Sequence, residues 1–291
     1  MAVAVWRMLV AIAGAASAWV WWLALRPGLP PSVTFLDVGQ ADAIVVETCR
    51  GGVWLVDAGT PGAARGVVVN WLRARGVNRL SGIVLTHGDA DHAGGAPWLI
   101  ERFRTGRLVV PCGIEESGAE AVATARKRGV PVVEVLAGDR MTWDGDVRVD
   151  VLHGAQCNQR SSEPDNTGSL IMRLRTAGAI VLLTGDADAA AENEAMASSA
   201  DLRADLLKVA HHGSHTSTSH TWLERVRPRV AVISAGRGNR FGHPHPTTLE
   251  RLKRSQTRVF RTDLDGHVRA EIDDGRLHVF TTSRRAVRPH D

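Results

Sequence analysis

Short apolar runs alternate with polar clusters along most of this chain, and their spacing predicts short strands and helices. Near the start, strands in hairpin order are predicted at Val33–Leu36, Ala43–Glu47 and Gly52–Val56. After another predicted strand at Gly82–Thr86, strands and helices alternate. The later strands are predicted at Leu108–Val110, Val147–Leu152, Ser169–Leu174, Ile180–Leu183, Leu206–Val209, Val230–Ser234, Arg258–Phe260, His267–Ile272 and Leu277–Thr281, and the helices at Ala64–Arg75, Gly95–Arg104, Gly118–Arg128, Ala187–Ala197, His220–Val226 and Thr247–Ser255. This order predicts two mixed sheets packed together with helices outside, a layered α/β domain.

A different pattern precedes the first predicted strand. Residues 8–25 contain no charged side chain and lie between Arg7 and Arg26. The run is long enough to cross a bilayer, and the tryptophans near its end are typical of a membrane interface, so we expect a membrane anchor. Residues 16–18 (Ala-Ser-Ala) leave a cleaved signal peptide as the alternative. The chain is therefore divided into an apolar segment (1–26), a proline-rich linker (27–31), a soluble domain (32–282) and a basic tail (283–291).

Composition and charge narrow the classes of protein that remain. Hydrophobic residues make up 44% of the 291 positions and charged residues 23%, which excludes a wholly disordered or repetitive chain. The three cysteines form no CxxC pair, which argues against a thiolate zinc site. Residues 225–291 contain 15 Arg and Lys against 7 Asp and Glu, whereas residues 1–224 contain 20 against 24. This excess reflects either genomic composition bias or an anionic partner.

The densest group of candidate ligands follows the predicted strand Gly82–Thr86. His87, Asp89, Asp91 and His92 fall within six residues, immediately before a predicted helix. A single helix-capping loop needs at most one such carboxylate. We therefore expect His87 and Asp89 to face one divalent cation, and Asp91 and His92 a second one beside it.

Two more predicted strands end in residues that suit the same site. Asp186 ends the segment Thr-Gly-Asp, and its two oxygens can bridge two cations. The next loop holds His211, His212, Ser214 and His215. We expect either His211 or His212 to be a metal ligand, and the sequence leaves open which of the two. Ser214 is expected to contact substrate, and His215 to take part in catalysis.

A fourth predicted strand leads into a glycine-containing loop with Asn239, Arg240 and His243. We expect Asn239 and Arg240 to contact substrate and His243 to be a catalytic proton donor. Asp57 ends an earlier predicted strand and is expected to be structural or to orient a ligand. The tryptophans Trp54, Trp71, Trp98 and Trp143 are scattered in apolar contexts, which predicts core positions rather than a platform for stacked bases.

Candidate metal ligands thus follow the ends of several successive strands. This pattern resembles the metallo-β-lactamase fold, an αββα sandwich. The HxHxDH motif of that family corresponds here to His87-x-Asp89-x-Asp91-His92, so that Asp89 replaces its second histidine. Thr-Gly-Asp at residues 184–186 is similar to the bridging-aspartate motif. Asn166 lies where the family usually has a further histidine, and it is retained as a candidate substrate contact.

Within that superfamily, the chain resembles the carboxy-terminal domain of ComEC-type DNA-internalization proteins. The likeness rests on VTFLDVGQADA (33–43), VDAG (56–59), HHGS (211–214), GHP (242–244) and RTDLDG (261–266), in the right order over about residues 32–282. It implies an αββα hydrolase domain outside the cytoplasm, preceded here by one apolar helix. A single apolar run cannot form a DNA channel, which leaves three alternatives open: a fragment, a split product or a free-standing relative. A separate polytopic protein is the candidate channel partner.

The resemblance implies a metal-dependent phosphodiesterase or nuclease that acts on single-stranded DNA during DNA uptake. Two Mn²⁺ or Zn²⁺ ions are expected, with Asp91 at the reaction centre, and Asp89 makes the ligand set richer in oxygen, which favours Mn²⁺. Two alternatives stay open. One is hydrolysis of a small phosphoester or other small molecule at the same site, and the other is a non-catalytic DNA-binding or assembly module.

Overall fold

A computed structural model describes residues 30–114, 116–154, 168–198 and 201–283, together with four isolated positions among the first seventeen residues. Almost all of the predicted anchor at residues 8–25 lies outside the described residues, as do Asn166 and residues 284–291. Among the described residues, none of the helices combines the length and the apolar character that crossing a bilayer requires.

The described residues form seventeen strands and eight α-helices. The strands are β1 (Ser32–Phe35), β2 (Ile44–Glu47), β3 (Val53–Val56), β4 (Arg79–Leu80), β5 (Gly82–Val84), β6 (Arg104–Thr105), β7 (Leu108–Pro111), β8 (Val132–Val135), β9 (Arg140–Trp143), β10 (Val147–His153), β11 (Ile171–Thr176), β12 (Ala179–Leu183), β13 (Leu206–Lys208), β14 (Val230–Ile233), β15 (Arg258–Arg261), β16 (Val268–Asp273) and β17 (Arg276–Thr281). The helices are α1 (Pro61–Ala63), α2 (Val69–Ala74), α3 (Ala96–Arg102), α4 (Glu116–Lys127), α5 (Ala189–Ala197), α6 (His220–Val226), α7 (Pro246–Arg254) and α8 (Thr262–Asp265). A π-helical turn at Ala64–Val68 joins α1 to α2, and a 3₁₀ turn spans Ala210–Gly213.

The strands form two large mixed sheets and one small pair. The first sheet has the order β17-β16-β1-β2-β3-β5-β7-β8, the second β15-β14-β13-β12-β11-β10-β9, and β4 pairs with β6. Every predicted strand occurs, whereas the two-residue strands β4 and β6 were not predicted, and nor were β8 and β9. The strands β8 and β9 are edge strands, and their exposed charged residues, Glu134 in β8 and Arg140 in β9, break the apolar pattern by which the other strands are recognised.

Three apolar clusters define the layers. One lies between the two sheets and includes the stacked rings of Trp54 and Trp143, whose centroids are 4.4 Å apart. A second packs Leu72 and Leu99 of the helices α2 and α3 against the outer face of the first sheet. In the third, Trp222 of α6 packs on the outer face of the second sheet. The layer order is therefore helix, sheet, sheet, helix, as the sequence predicts.

Parallel strands bring their carboxyl ends to one edge of each sheet. In the first sheet β3 and β5 are parallel, and in the second β12, β13 and β14 are parallel. The two edges meet where Leu170 donates its backbone N–H to the carbonyl of Thr86, at 2.9 Å. Gly185 lies in this contact, and a Cβ atom there would stand 2.3 Å from the Ser169 hydroxyl oxygen. The close approach of the two strand ends therefore requires glycine at position 185.

Candidate metal centre

Loops from the two sheets bring carboxylates and imidazoles together at this common edge. We use the name His–Asp cluster for His87, Asp91, His92, Asp186 and His212. The described residues contain four groups of three whose potential ligand atoms all lie within 4.8 Å of one another. These groups are His87 with His92 and Asp186, Asp91 with His92 and His212, Asp42 with Asp186 and His212, and Asp42 with Asp57 and His92.

Asp186 lies at the middle of the His–Asp cluster. Its Oδ1 is 3.3 Å from Nε2 of His92, and its Oδ2 is 3.4 Å from Nε2 of His212. The same nitrogen of His212 is 3.3 Å from Oδ2 of Asp91. Burial by itself would raise the pKa of Asp186, but the neighbouring His212 and His92 outweigh it and hold that pKa well below its usual range. Asp186 is thus available as a carboxylate with both oxygens facing imidazoles.

Asp57 orients the ring of His92. Its Oδ2 is 2.9 Å from Nδ1 of His92, and its two oxygens accept hydrogen bonds from the backbone N–H and the hydroxyl of Thr86, each at 2.8 Å. Burial would lower the pKa of His92, yet Asp186 and Asp57 raise it well above its ordinary value. Because Nδ1 faces Asp57, Nε2 is directed at the cluster, an arrangement common for metal-binding histidines. This placement agrees with the expectation that Asp57 orients a ligand.

The geometry separates the roles of His211 and His212. Both have left-handed backbone angles, with φ of 48° and 52°. His212 is buried, and its Nδ1 lies 3.0 Å from the carbonyl oxygen of Ser234. The half-buried His211 has its Nε2 3.9 Å from Oδ2 of Asp186, and its ring meets that of His243 edge-on. Of the two, the geometry favours His212 as a ligand.

Lys208 is a member of this region that the sequence analysis missed. Its fully buried ammonium group contacts Oδ2 of Asp42, lies 3.4 Å from Oδ1 of Asp186, and donates to the carbonyl of Gly185 at 2.7 Å. Burial would lower the pKa of Lys208, but Asp42 and Asp186 outweigh it and raise that pKa. A lysine at the polar end of an apolar strand is the one signal that could have indicated it.

Three buried nitrogens of the cluster lack hydrogen-bond partners among the described residues. They are the Nε2 atoms of His87, His92 and His212. Unpartnered buried polar atoms carry a desolvation cost, so their convergence beside carboxylates indicates a missing partner. A partner that accepts imidazole nitrogen and carboxylate oxygen together is a divalent cation such as Zn²⁺ or Mn²⁺. The residues present therefore fit the metal ions that the sequence predicts.

Other residues predicted for the site lie at its rim or outside it. Asp89 is half-exposed, with Oδ2 3.6 Å from Nε2 of His87. His215 is exposed and packs its ring beside His245, at a centroid distance of 5.3 Å, rather than entering the His–Asp cluster. The buried Ser214 hydroxyl pairs with that of Thr216 at 3.0 Å, which ties it into its own loop.

The loop after β14 is built around Asn239. Its side-chain oxygen accepts the backbone N–H of His243 at 3.0 Å, and its amide donates to the carbonyls of Gly236 and His243. Asn239 therefore shapes the loop, and its contact with substrate stays a prediction. Arg240 is exposed, and its contact with substrate stays a prediction. Burial, followed by the nearby His211, lowers the pKa of His243.

Comparison with known proteins agrees with this fold and site. The chain belongs to the metallo-beta-lactamase superfamily, whose family model matches residues 36–237. It is 34% identical over 254 residues to ComE operon protein 3 of Bacillus subtilis (strain 168), covering 81% of this chain and 32% of that protein. It is also 33% identical over 245 residues to competence protein ComA of Neisseria gonorrhoeae, covering 84% of this chain and 33% of that protein. These relatives confirm the predicted resemblance to ComEC-type competence proteins.

The share of each relative that is matched limits which of its properties can be transferred to this chain. The chain spans about a third of the length of the two relatives. Among solved structures, the CmlA beta-hydroxylase E377D mutant matches with a TM-score of 0.56 and 15% identity, covering 83% of this chain and 54% of that chain. At this identity the structural match shows the fold alone.

Replacing Lys208 by methionine is expected to destabilise the fold. The change leaves the buried carboxylate of Asp42 without its cation, and breaking a buried ion pair costs about 3–5 kcal/mol. Urea unfolding of the full chain in EDTA measures this free energy. The double variant Asp42→Asn with Lys208→Met should recover most of the loss, and Lys253→Met, at an exposed lysine, should be neutral. A Lys208→Met chain as stable as the parent would contradict the ion pair.

Replacing Asp57 by asparagine is expected to weaken metal binding. The substitution removes the carboxylate that faces Nδ1 of His92, and loss of such an orienting partner typically costs about 10–100-fold in affinity. Competition for Mn²⁺ and Zn²⁺ with a chromophoric chelator measures the change. Asp273→Asn, at an exposed aspartate of β16, is the matched control. An unchanged affinity in a folded Asp57→Asn chain is incompatible with the orienting role.

Proposed function

We propose that this chain is a metal-dependent phosphodiesterase that cleaves single-stranded DNA. The observation that carries the proposal is the convergence of three unpartnered imidazole nitrogens on buried carboxylates at the edge shared by the two sheets. The similarity to proteins named for competence supports DNA as the substrate. Exposed Arg237 and Arg240, on the loop that carries His243, supply positive charge beside the cluster, as a polyanionic substrate requires.

The charge of the site supports two divalent cations. Five carboxylates surround it in the described part of the chain, and Lys208 offsets one of them, which leaves four negative charges when all are ionised. Two divalent cations balance four negative charges. Since Nε2 of His92 can bind only one cation, we assign His87 and Asp89 to one ion and Asp91, His92 and His212 to the other. Asp186 would serve as a ligand of both ions, since both of its oxygens face the cluster.

Individual residues of the chain have separate roles in phosphodiester cleavage. When bound, the cations supply Lewis acidity towards the phosphate and a lowered pKa for water. Arg240 holds the strand by a phosphate oxygen, and His243 supplies an N–H to the leaving oxygen. The oxygen-rich ligand set with Asp89 favours Mn²⁺ over Zn²⁺.

We further propose how the domain is placed in the cell. Residues 8–25 anchor it in a membrane, and residues 32–282 face the outside of the cytoplasm, where incoming DNA arrives. A polytopic DNA channel is the proposed partner of this domain. The support is the uncharged run in the sequence and the similarity to competence proteins that are about three times as long as the matched region.

Cleavage of a labelled single-stranded oligonucleotide by the full chain in detergent, with Mn²⁺ or Zn²⁺, tests the proposed activity. We expect cleavage that EDTA abolishes, and a loss of at least about 100-fold in Asp186→Asn and in His212→Ala, because each removes a proposed ligand. Asp273→Asn and His220→Ala are the matched controls, since both residues are exposed. Circular dichroism confirms that each variant is folded.

Two outcomes would contradict the DNA phosphodiesterase. Metal binding without cleavage by either ion would leave a binding or assembly module. Turnover of a small phosphodiester that single-stranded DNA does not inhibit would indicate a small-molecule hydrolase instead.

A further inference from the structure

Phe241 presents an aromatic ring to solvent at the rim of the His–Asp cluster. Three of the five phenylalanines, Phe35, Phe103 and Phe260, are buried, whereas Phe241 is 55% exposed. Phe280 is exposed to the same extent, but it lies on the edge strand β17. An exposed phenylalanine contributes little to folding, because its burial is what stabilises a protein. The position of Phe241 therefore calls for another explanation.

The loop that carries Phe241 is held in a fixed shape. The side-chain oxygen of Asn239 accepts the backbone N–H groups of Phe241 and His243, at 3.2 and 3.0 Å. Gln40, from the loop after β1, accepts the backbone N–H of Gly236 at 3.0 Å and ties the start of the loop to the first sheet. The aromatic ring is thus presented by a pre-shaped support, which lowers the entropy cost of binding.

Phe241 lies close to the site of the proposed cleavage. Its ring stacks on that of His243, with centroids 5.9 Å apart and planes 26° from parallel. The His243 ring is 5.7 Å from that of His211, so Phe241 and His211 are at most about 12 Å apart, the sum of the two separations. The Nε2 atom of His211 is in turn 3.9 Å from Asp186. A group stacked on Phe241 and a phosphate at the cluster can therefore belong to one short stretch of strand.

The chemistry around the ring matches a nucleotide. The exposed guanidinium of Arg240 lies 5.0 Å from the ring centroid, where it can contact a phosphate or stack on a base. An aromatic ring stacks on any unpaired base, whereas bases in a duplex already stack on each other. A small phosphoester without an aromatic group gains nothing from such a ring.

We propose that Phe241 is a stacking platform for an unpaired nucleobase of the strand whose phosphodiester lies at the His–Asp cluster. This inference rests on the proposed function and deepens it, because it assigns the preference for single-stranded DNA to one side chain. The stacked base fixes the register of the strand, and Arg240 holds the adjoining phosphate. Trp54 and Trp143 take no part, since both are buried between the sheets.

The test is binding of a fluorescent single-stranded oligonucleotide to the full chain in EDTA, followed by anisotropy. Base stacking on an aromatic side chain typically changes affinity by about 5- to 150-fold, so Phe241→Ala should weaken binding by about tenfold or more. Phe241→Trp should restore it, since an indole also stacks. Phe280→Ala, at the equally exposed phenylalanine, should bind as the parent does. An abasic oligonucleotide of the same charge should bind the parent and Phe241→Ala equally.

Two results would overturn the stacking platform. One is wild-type affinity of folded Phe241→Ala for the normal oligonucleotide. The other is an equal loss of affinity for the normal and the abasic strands, which would indicate that the ring only supports the loop. Because these measurements need no turnover, they are separate from the cleavage assay. If Phe241→Ala loses affinity tenfold for the normal strand alone and the parent chain does not cleave DNA, the stacking platform is supported and the phosphodiesterase activity is rejected.

Discussion

The buried ammonium group of Lys208, shared between Asp42 and Asp186, connects the two halves of the domain at the edge where their sheets meet. Asp42 comes from the loop between β1 and β2 of the first sheet, while Lys208 ends β13 and Asp186 follows β12 of the second. The carboxylate of Asp42 is fully buried and that of Asp186 almost so, and each therefore requires a positive partner inside the protein. Lys208 supplies one positive charge, and the remaining negative charge of the site favours divalent cations.

The rest of the centre follows from the way the strands end. Parallel strands bring Asp57, Thr86, Asp186 and His212 to one edge, and the glycine at position 185 allows the two sheets to approach. Hydrogen bonds that Nδ1 of His92 donates to Asp57 and Nδ1 of His212 donates to the Ser234 carbonyl fix the two rings, so that their unpartnered Nε2 atoms converge on Asp186. A site arranged before its ligand arrives avoids the reorganisation cost that binding would otherwise carry.

Much of this arrangement could be predicted because the functional side chains follow directly after the ends of apolar strands. The spacing of apolar residues predicted all helices except the short α1 and α8 and all strands except β4, β6, β8 and β9. The polar residues at the strand ends pointed to His87, His92 and Asp186 as neighbours. The pairing of Lys208 with Asp42 could not be predicted, because it joins residues far apart in sequence across two sheets. Proximity in sequence also does not say how a side chain is placed: His212 is buried whereas the adjacent His211 is half-buried, His215 faces solvent, and Asn239 turns into its own loop.

The central claim is that the His–Asp cluster is a divalent-cation site, and anomalous diffraction at the manganese edge tests it most directly. Crystals of the chain grown with Mn²⁺ should show anomalous density contacting Asp186, with Asp91, His92 and His212 as further ligands of the same ion. A second peak is expected beside His87 and Asp89. Anomalous density confined to other acidic groups, with the cluster retaining only its protein contacts in the presence of Mn²⁺, would contradict the account.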